Sequence, residues 1–178
     1  MLFLGTKEYP EPRYYSQYVV NHGGYENAHT TLEDTNYHFS VQSDAFYETL
    51  KIFSRFFISP LMTKSACARE IKSIDNEFSC SKSDDEWRRF LILKSIANKS
   101  SRFHKFDAGN AESLSAENID LLHSQLHRFY NQYYSANRMK LVIYGSEKLP
   151  VLKSWAIKFF SSIANCNIES PNSAAGNG

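Results

Sequence analysis

A single strict run of period two, set among longer runs of period 3.6, limits this chain to a mixed architecture. Thr35-Asn36-Tyr37-His38-Phe39-Ser40-Val41 alternates, with Tyr37, Phe39 and Val41 on one face, as a half-buried strand requires. Tyr25 to Thr31 precedes it as a polar run, and Leu32-Glu33-Asp34 can turn the chain between the two, so a hairpin is expected. Its first strand has few apolar residues and suits a sheet edge. Met139-Lys140-Leu141-Val142-Ile143-Tyr144, ended by Gly145, reads as a buried strand. Together with the helices, this gives the α+β class.

The helices carry their own punctuation. Pro10 and Pro12 introduce one through Tyr14, Tyr15, Tyr18 and Val19, and Gly23-Gly24 end it by supplying positive φ. Ser43 can cap a second, from Asp44 to about Ile58, that buries Phe46, Leu50, Phe53 and Phe57. After Pro60, Thr63 is the candidate N-cap of a third, and a fourth runs from about Asp84 through Trp87, Phe90, Leu91 and Leu93 to Ile96. A fifth carries Ile119, Leu122, Leu126, Phe129, Tyr130 and Tyr133 from Ser115 to near Asn137. The last buries Leu149, Leu152, Trp155, Phe159 and Ile163. Residues 98–114 have no period and form a long loop, a kind more often functional than idle. The composition of 166–178 is that of a disordered tail. There is no internal repeat.

At 178 residues and 42% hydrophobic content the chain can build one domain with a real core, placed at 1–165. A net charge of +1, with both signs interspersed, leaves no footprint for nucleic acid or an anionic membrane. No apolar run has the length of a membrane span, and Met1-Leu2-Phe3-Leu4 lacks the flank and length of a signal peptide. Cys67, Cys80 and Cys166 form neither a disulfide framework nor a zinc spacing, so a reducing, cytoplasmic setting is expected.

The third helix, Thr63 to Ser83, holds the most suggestive pattern. Cys67, Ile71, Ile74 and Phe78 recur at the period of one buried stripe. At about 100° per residue, Glu70 and Glu77 fall within roughly 20° of each other, about 60 to 80° from the stripe's centre. Arg69, Lys72 and Asn76 occupy the solvated side. Glutamate at such a margin is also common on ordinary amphipathic helices, whose stems lie on apolar surface.

Histidines offer less. His123 and His127 stand at i and i+4, a spacing that can grip zinc. The intervening glutamate of a metalloprotease helix is missing, and the pair flanks the Leu126 stripe, so two half-exposed histidines are the better reading. His22, His29 and His38 lie around the hairpin without ligand spacing, which favours structural or substrate-facing roles. No phosphate loop and no Gly-x-Ser-x-Gly elbow occurs.

Several motifs in collinear order carry a resemblance: Met1-Leu2-Phe3-Leu4-Gly5-Thr6-Lys7-Glu8-Tyr9-Pro10, Asn27-Ala28 before Thr35-Asn36-Tyr37, Arg69-Glu70 with Glu77, Phe106, Gly109-Asn110, and Tyr133-Tyr134-Ser135-Ala136-Asn137. Over about residues 1–165 they resemble the N-terminal catalytic domain of insulinase-type zinc metalloproteases, the pitrilysin-like inverzincins. The resemblance implies an antiparallel-rich sheet packed with helices and a zinc-dependent endopeptidase acting on peptides. It implies that Glu77 is a metal ligand and that Glu70 supports the site. The edge strand with Asn27, Ala28 and His29 would bind the substrate backbone by strand addition. His29 and Phe78 depart from residues that many relatives carry there, which bears on substrate preference.

The family's His-x-x-Glu-His helix, with two ligands and the general base, would come just before Met1. A catalytic zinc takes three protein ligands and leaves a fourth position to water. The chain as given is therefore expected to be inactive alone, a piece lacking its leading strands, catalytic helix and the family's C-terminal half. It is also expected to be marginally stable, or dependent on those segments or a partner chain. The alternative is a non-catalytic homologue that acts as a peptide-binding scaffold or a regulator of a protease partner.

Overall fold

The computed structural model describes residues 2–105, 108–114 and 118–169. Its elements are α1 (Tyr14–Asn21), β1 (Tyr25–Thr30), β2 (Thr35–Ser40), α2 (Phe46–Ile58), α3 (Lys64–Ser81), α4 (Asp85–Ile96), α5 (Ile119–Tyr133) and α6 (Leu149–Phe160). Helices with one small sheet, β1 beside β2, make this an α+β fold. Contacts divide it into two compact units: Ala28–Tyr37 with Thr63–His123, and Leu2–Asn27 with His38–Met62 and the described part of Ser124–Gly178.

The second unit is built around α2. Leu50, Ile52, Phe53 and Phe56 are buried, as are Thr49 and Ser54, so burial runs nearly around the helix. The two hydroxyls stay satisfied, Thr49 donating to the Ala45 carbonyl at 2.9 Å and Ser54 to Lys51 at 2.7 Å. Rings fill the space. Phe3 lies 4.8 Å from Phe56 and 5.3 Å from Tyr15, and Phe39 lies 5.0 Å from Phe53. On the α6 side, Tyr47 meets Trp155 at 5.1 Å and Phe159 at 5.0 Å. Burying one such side chain is worth about 1.5–3 kcal/mol, and each good ring pair about 0.5–1.5 kcal/mol more. Tyr15 is buried with its hydroxyl unpartnered, and burial, followed by the Glu26 charge, pushes its phenol well above the usual range.

The N-terminal segment is stitched into this core. Thr6 bridges Pro60, Leu61 N–H donates to Gly5 O at 3.1 Å and Lys7 N–H to Ser59 O at 3.0 Å. Gly5 sits at φ 98°, and a Cβ there would stand 2.7 Å from the Pro10 carbonyl, so only glycine fits. At the end of α1, Gly23 at φ 65° lets the His22, Gly23 and Gly24 amides reach Val19 and Val20 carbonyls.

In the first unit, Thr63 caps α3 by accepting from Ala66 N–H at 3.2 Å, and Asp84 caps α4 by accepting from Trp87 N–H at 2.7 Å. Phe78 of α3 meets Trp87 of α4 edge-on at 5.3 Å. The expected long loop is fastened down. Lys94, only 3% exposed, puts its Nζ 5.2 Å from the Phe90 ring centre and 5.1 Å from that of Phe103. His104 Nδ1–H donates to the Lys94 carbonyl at 3.0 Å, on the 3₁₀ turn Arg102–His104. Further along, Ala111 N–H donates to Asp75 Oδ1 of α3 at 2.9 Å.

Several expectations need correction. Met139–Tyr144 is not a strand: no described strand lies beside it, and Val142 and Tyr144 are 88% and 95% exposed. An extended run becomes a strand only by pairing. Ser43 does not cap a long helix; Ser43–Ala45 is a 3₁₀ turn, and α2 starts after it without a side-chain cap. Leu149, one residue before Pro150 at the start of α6, is exposed rather than buried. Asn118 Oδ1 accepts Leu121 N–H at the head of α5, whereas the expected start, Ser115, lies outside the described residues, as does Phe106. Of 166–178, Cys166 N–H donates to Ser135 Oγ at 2.8 Å and the Ile168 carbonyl accepts from Asn137 at 2.9 Å; 170–178 lie outside the described residues.

Candidate functional site

α3 forms because its stripe of Ala66, Cys67 and Ile71 is buried, continued by half-buried Ile74 and Phe78. That stripe fixes its margins. Glu70 is half-buried on one of them, and Glu77, two turns on, is exposed. Their Cα positions are about 10 Å apart along the axis. Burial pushes the Cys67 thiol up, against the pull of a backbone hydrogen bond, and Glu70 one turn on adds to the rise.

Asn27, Ala28 and His29 are exposed on β1, a terminal strand of the two-stranded sheet whose hydrogen-bonded neighbour is β2. A turn in which Thr31 N–H donates to Asp34 O at 2.8 Å closes the hairpin. The remaining histidines divide by surroundings. His22 stacks on Tyr18 at 4.2 Å and donates through Nδ1–H to the Tyr18 carbonyl at 2.7 Å, a structural role at the end of α1. His38 meets Tyr25 edge-on at 5.8 Å. His123 and His127 are half-buried on α5, and among the described residues no three His, Cys, Asp or Glu side chains come together as a metal cluster.

The donor chemistry therefore fits zinc in one position. Glu77 is an exposed carboxylate, a donor of a kind that zinc accepts, while a set of three such donors is not found together among the described residues. Sequence reasoning missed Asp75, whose carboxylate joins α3 to the Gly109–Leu114 turn. Gly109-Asn110 was the available signal, a turn dipeptide with no stated docking place.

Comparison with known proteins bears on this geometry. The family model described as insulinase (peptidase family M16) matches residues 1–105, and that described as the peptidase M16 inactive domain matches residues 120–175. The chain is 42% identical over 170 residues to insulin-degrading enzyme-like 2 of Arabidopsis thaliana, covering 94% of this chain and 18% of that protein. It is 41% identical over 174 residues to the putative zinc protease mug138 of Schizosaccharomyces pombe, covering 96% of this chain and 18% of that protein. The crystal structure of pitrilysin superposes with a TM-score of 0.90 at 30% identity, over 96% of this chain and 18% of that one. The chain thus spans under a fifth of the length of these relatives.

Proposed function

Since the chain belongs to the insulinase family of peptidases, M16, we propose that it is part of a zinc-dependent metalloendopeptidase that degrades peptides, with Glu77 as a metal ligand and Glu70 as its support. The observation that carries this reading is the α3 margin itself: an exposed carboxylate two turns from a half-buried one, inside the stretch that the insulinase model matches. Zinc, when bound in such enzymes, polarises a carbonyl and acidifies a water. The chain's own part is to present Glu77 in one fixed direction and to offer Asn27, Ala28 and His29 on β1 to an extended peptide.

The chain alone has no metal-dependent peptidase activity in this proposal, because among the described residues no three donors come together to hold a catalytic ion. It depends on further segments or a partner chain, in keeping with the exposure of Leu141, Val142 and Tyr144. None of the three cysteines is in a disulfide, which suits a cytoplasmic setting, and no helix among the described residues is long and apolar enough to cross a membrane.

The test replaces the matching segment of the Arabidopsis relative with this chain and measures zinc affinity by competition with a chelating dye. Glu77→Gln is expected to lower affinity by at least about 100-fold and Glu70→Gln by about tenfold, the range of a lost ligand and a lost orienting partner. Glu86→Gln, on the solvated side of α4, leaves it unchanged. Equal affinity of the Glu77 and Glu86 variants removes Glu77 from the site. A second reading, a non-catalytic peptide-binding scaffold, is favoured by the lack of a three-donor cluster among the described residues. It requires peptide binding by the chain that survives a chelator and weakens when Ala28→Pro blocks the β1 backbone.

A further inference from the structure

A ligand that stands alone on a helix margin is only as well aimed as the helix is held against rotation. On α3 the rotation has a visible lock. Taking Glu70 as origin at about 100° per residue, Glu77 falls near −20°, Ile74 near 40° and Asp75 near 140°, so Asp75 lies on the margin opposite the two glutamates. The turn at the end of the long loop meets α3 at both Ile74 and Asp75. Gly109, at φ 55°, brings its backbone so close that a Cβ would sit 3.2 Å from Ile74 Cγ2. Two residues on, Ala111 N–H donates to Asp75 Oδ1 at 2.9 Å.

The turn is itself stiff. Asn110 N–H donates to Ser113 Oγ at 2.9 Å, Ser113 N–H to Asn110 Oδ1 at 2.7 Å and Leu114 N–H to Asn110 O at 3.0 Å. A closed block gripping a helix at two angles about 100° apart resists turning in a way that one contact cannot. The magnitude matters: on a helix of about 5–6 Å outer radius, a 20° roll moves a carboxylate by about 2 Å. That equals a whole zinc–oxygen bond of about 2.0–2.2 Å.

We propose that Asp75 is a positioning residue: by holding Ala111 N–H it clamps the Gly109–Leu114 turn across the apolar stripe of α3 and so fixes the direction in which Glu77 points. The proposal rests on the metal-ligand reading of Glu77 for its purpose, but the clamp can be tested in the chain by itself. Asp75→Ala removes the acceptor, whereas Asp75→Asn keeps an oxygen there and removes the charge.

By nuclear magnetic resonance, Asp75→Ala is expected to speed hydrogen exchange at the Ala111 amide by at least about tenfold, as loss of a bond to a charged group implies. The same variant weakens the Overhauser contact between the Ile74 γ2 methyl and Gly109 and changes the residual dipolar couplings of residues 70–78 relative to 109–114. Asp75→Asn restores the contact and the couplings and keeps exchange within about threefold of the parent, since a neutral acceptor forfeits only part of the bond. Unchanged exchange and couplings in Asp75→Ala overturn the proposal, and so does an Asn variant that behaves like Ala. Failure of the Glu77 reading would appear instead in the zinc affinity of Glu77→Gln, with the clamp measurements untouched.

Discussion

α2 and α3 are neighbours in sequence and opposites in use. α2 buries Thr49, Leu50, Ile52, Phe53, Ser54 and Phe56, presenting packing surface in nearly every direction, and its hydroxyls turn back onto the Ala45 and Lys51 carbonyls. α3 buries only Ala66, Cys67 and Ile71 and leaves its margins open to carry acids. A helix buried all round can hold a unit together but has no side left for chemistry. A helix buried on one stripe can present carboxylates, at the cost of needing an external lock, such as the Gly109–Leu114 turn that Asp75 holds, to keep its orientation.

The largest test of that contrast is Phe56→Ala. Its ring packs against Phe3 and Tyr15 at the centre of the second unit, so truncation is expected to cost about 3–5 kcal/mol in urea unfolding. Ile71→Ala in α3 removes a buried group from a stripe whose flanks are open, and is expected to fall at the low end of its class, about 2 kcal/mol. A larger loss from Ile71→Ala than from Phe56→Ala would break the comparison. Tyr15→Phe sharpens it from the other side. Removing a buried, unpartnered hydroxyl should stabilise the chain by about 1 kcal/mol, read as a rise in melting temperature.

The smallest effect belongs to the first unit's surface. Lys64 bonds to Asp120 and, by that bond and its charge, holds the Asp120 carboxyl below the usual range. A lowered carboxylate contributes stability above its unfolded value of about 3.9 and loses it as pH falls through the folded value. Asp120→Asn should therefore melt slightly below the parent at pH 7 and converge with it below about pH 4, the gap closing further in high salt.

Much of this was legible from local pattern. Thr63 and Asp84 announced the starts of α3 and α4, Gly23 the end of α1, and the alternation through Tyr37 and Phe39 the hairpin, because each signal acts within a turn or two of itself. Met139–Tyr144 misled because an apolar run has strand propensity whether or not a partner strand lies beside it. The shared margin of Glu70 and Glu77 followed from helix geometry alone, and the burial difference between them did not. The clamp was invisible, since Asp75 and Ala111 are 36 residues apart and nothing local to either names the other.

The two tryptophans of the chain fall one to each unit, Trp87 against Phe78 in the first and Trp155 against Tyr47 in the second. Each is thus a natural optical label for the packing around it. With Trp155→Phe the emission reports the α3–α4 contact alone, and with Trp87→Phe it reports the α2–α6 contact alone. Superimposable denaturation curves from the two variants mean that both units melt as one cooperative body, and displaced curves rank the stability of the packed core against that of the helix bearing the acids.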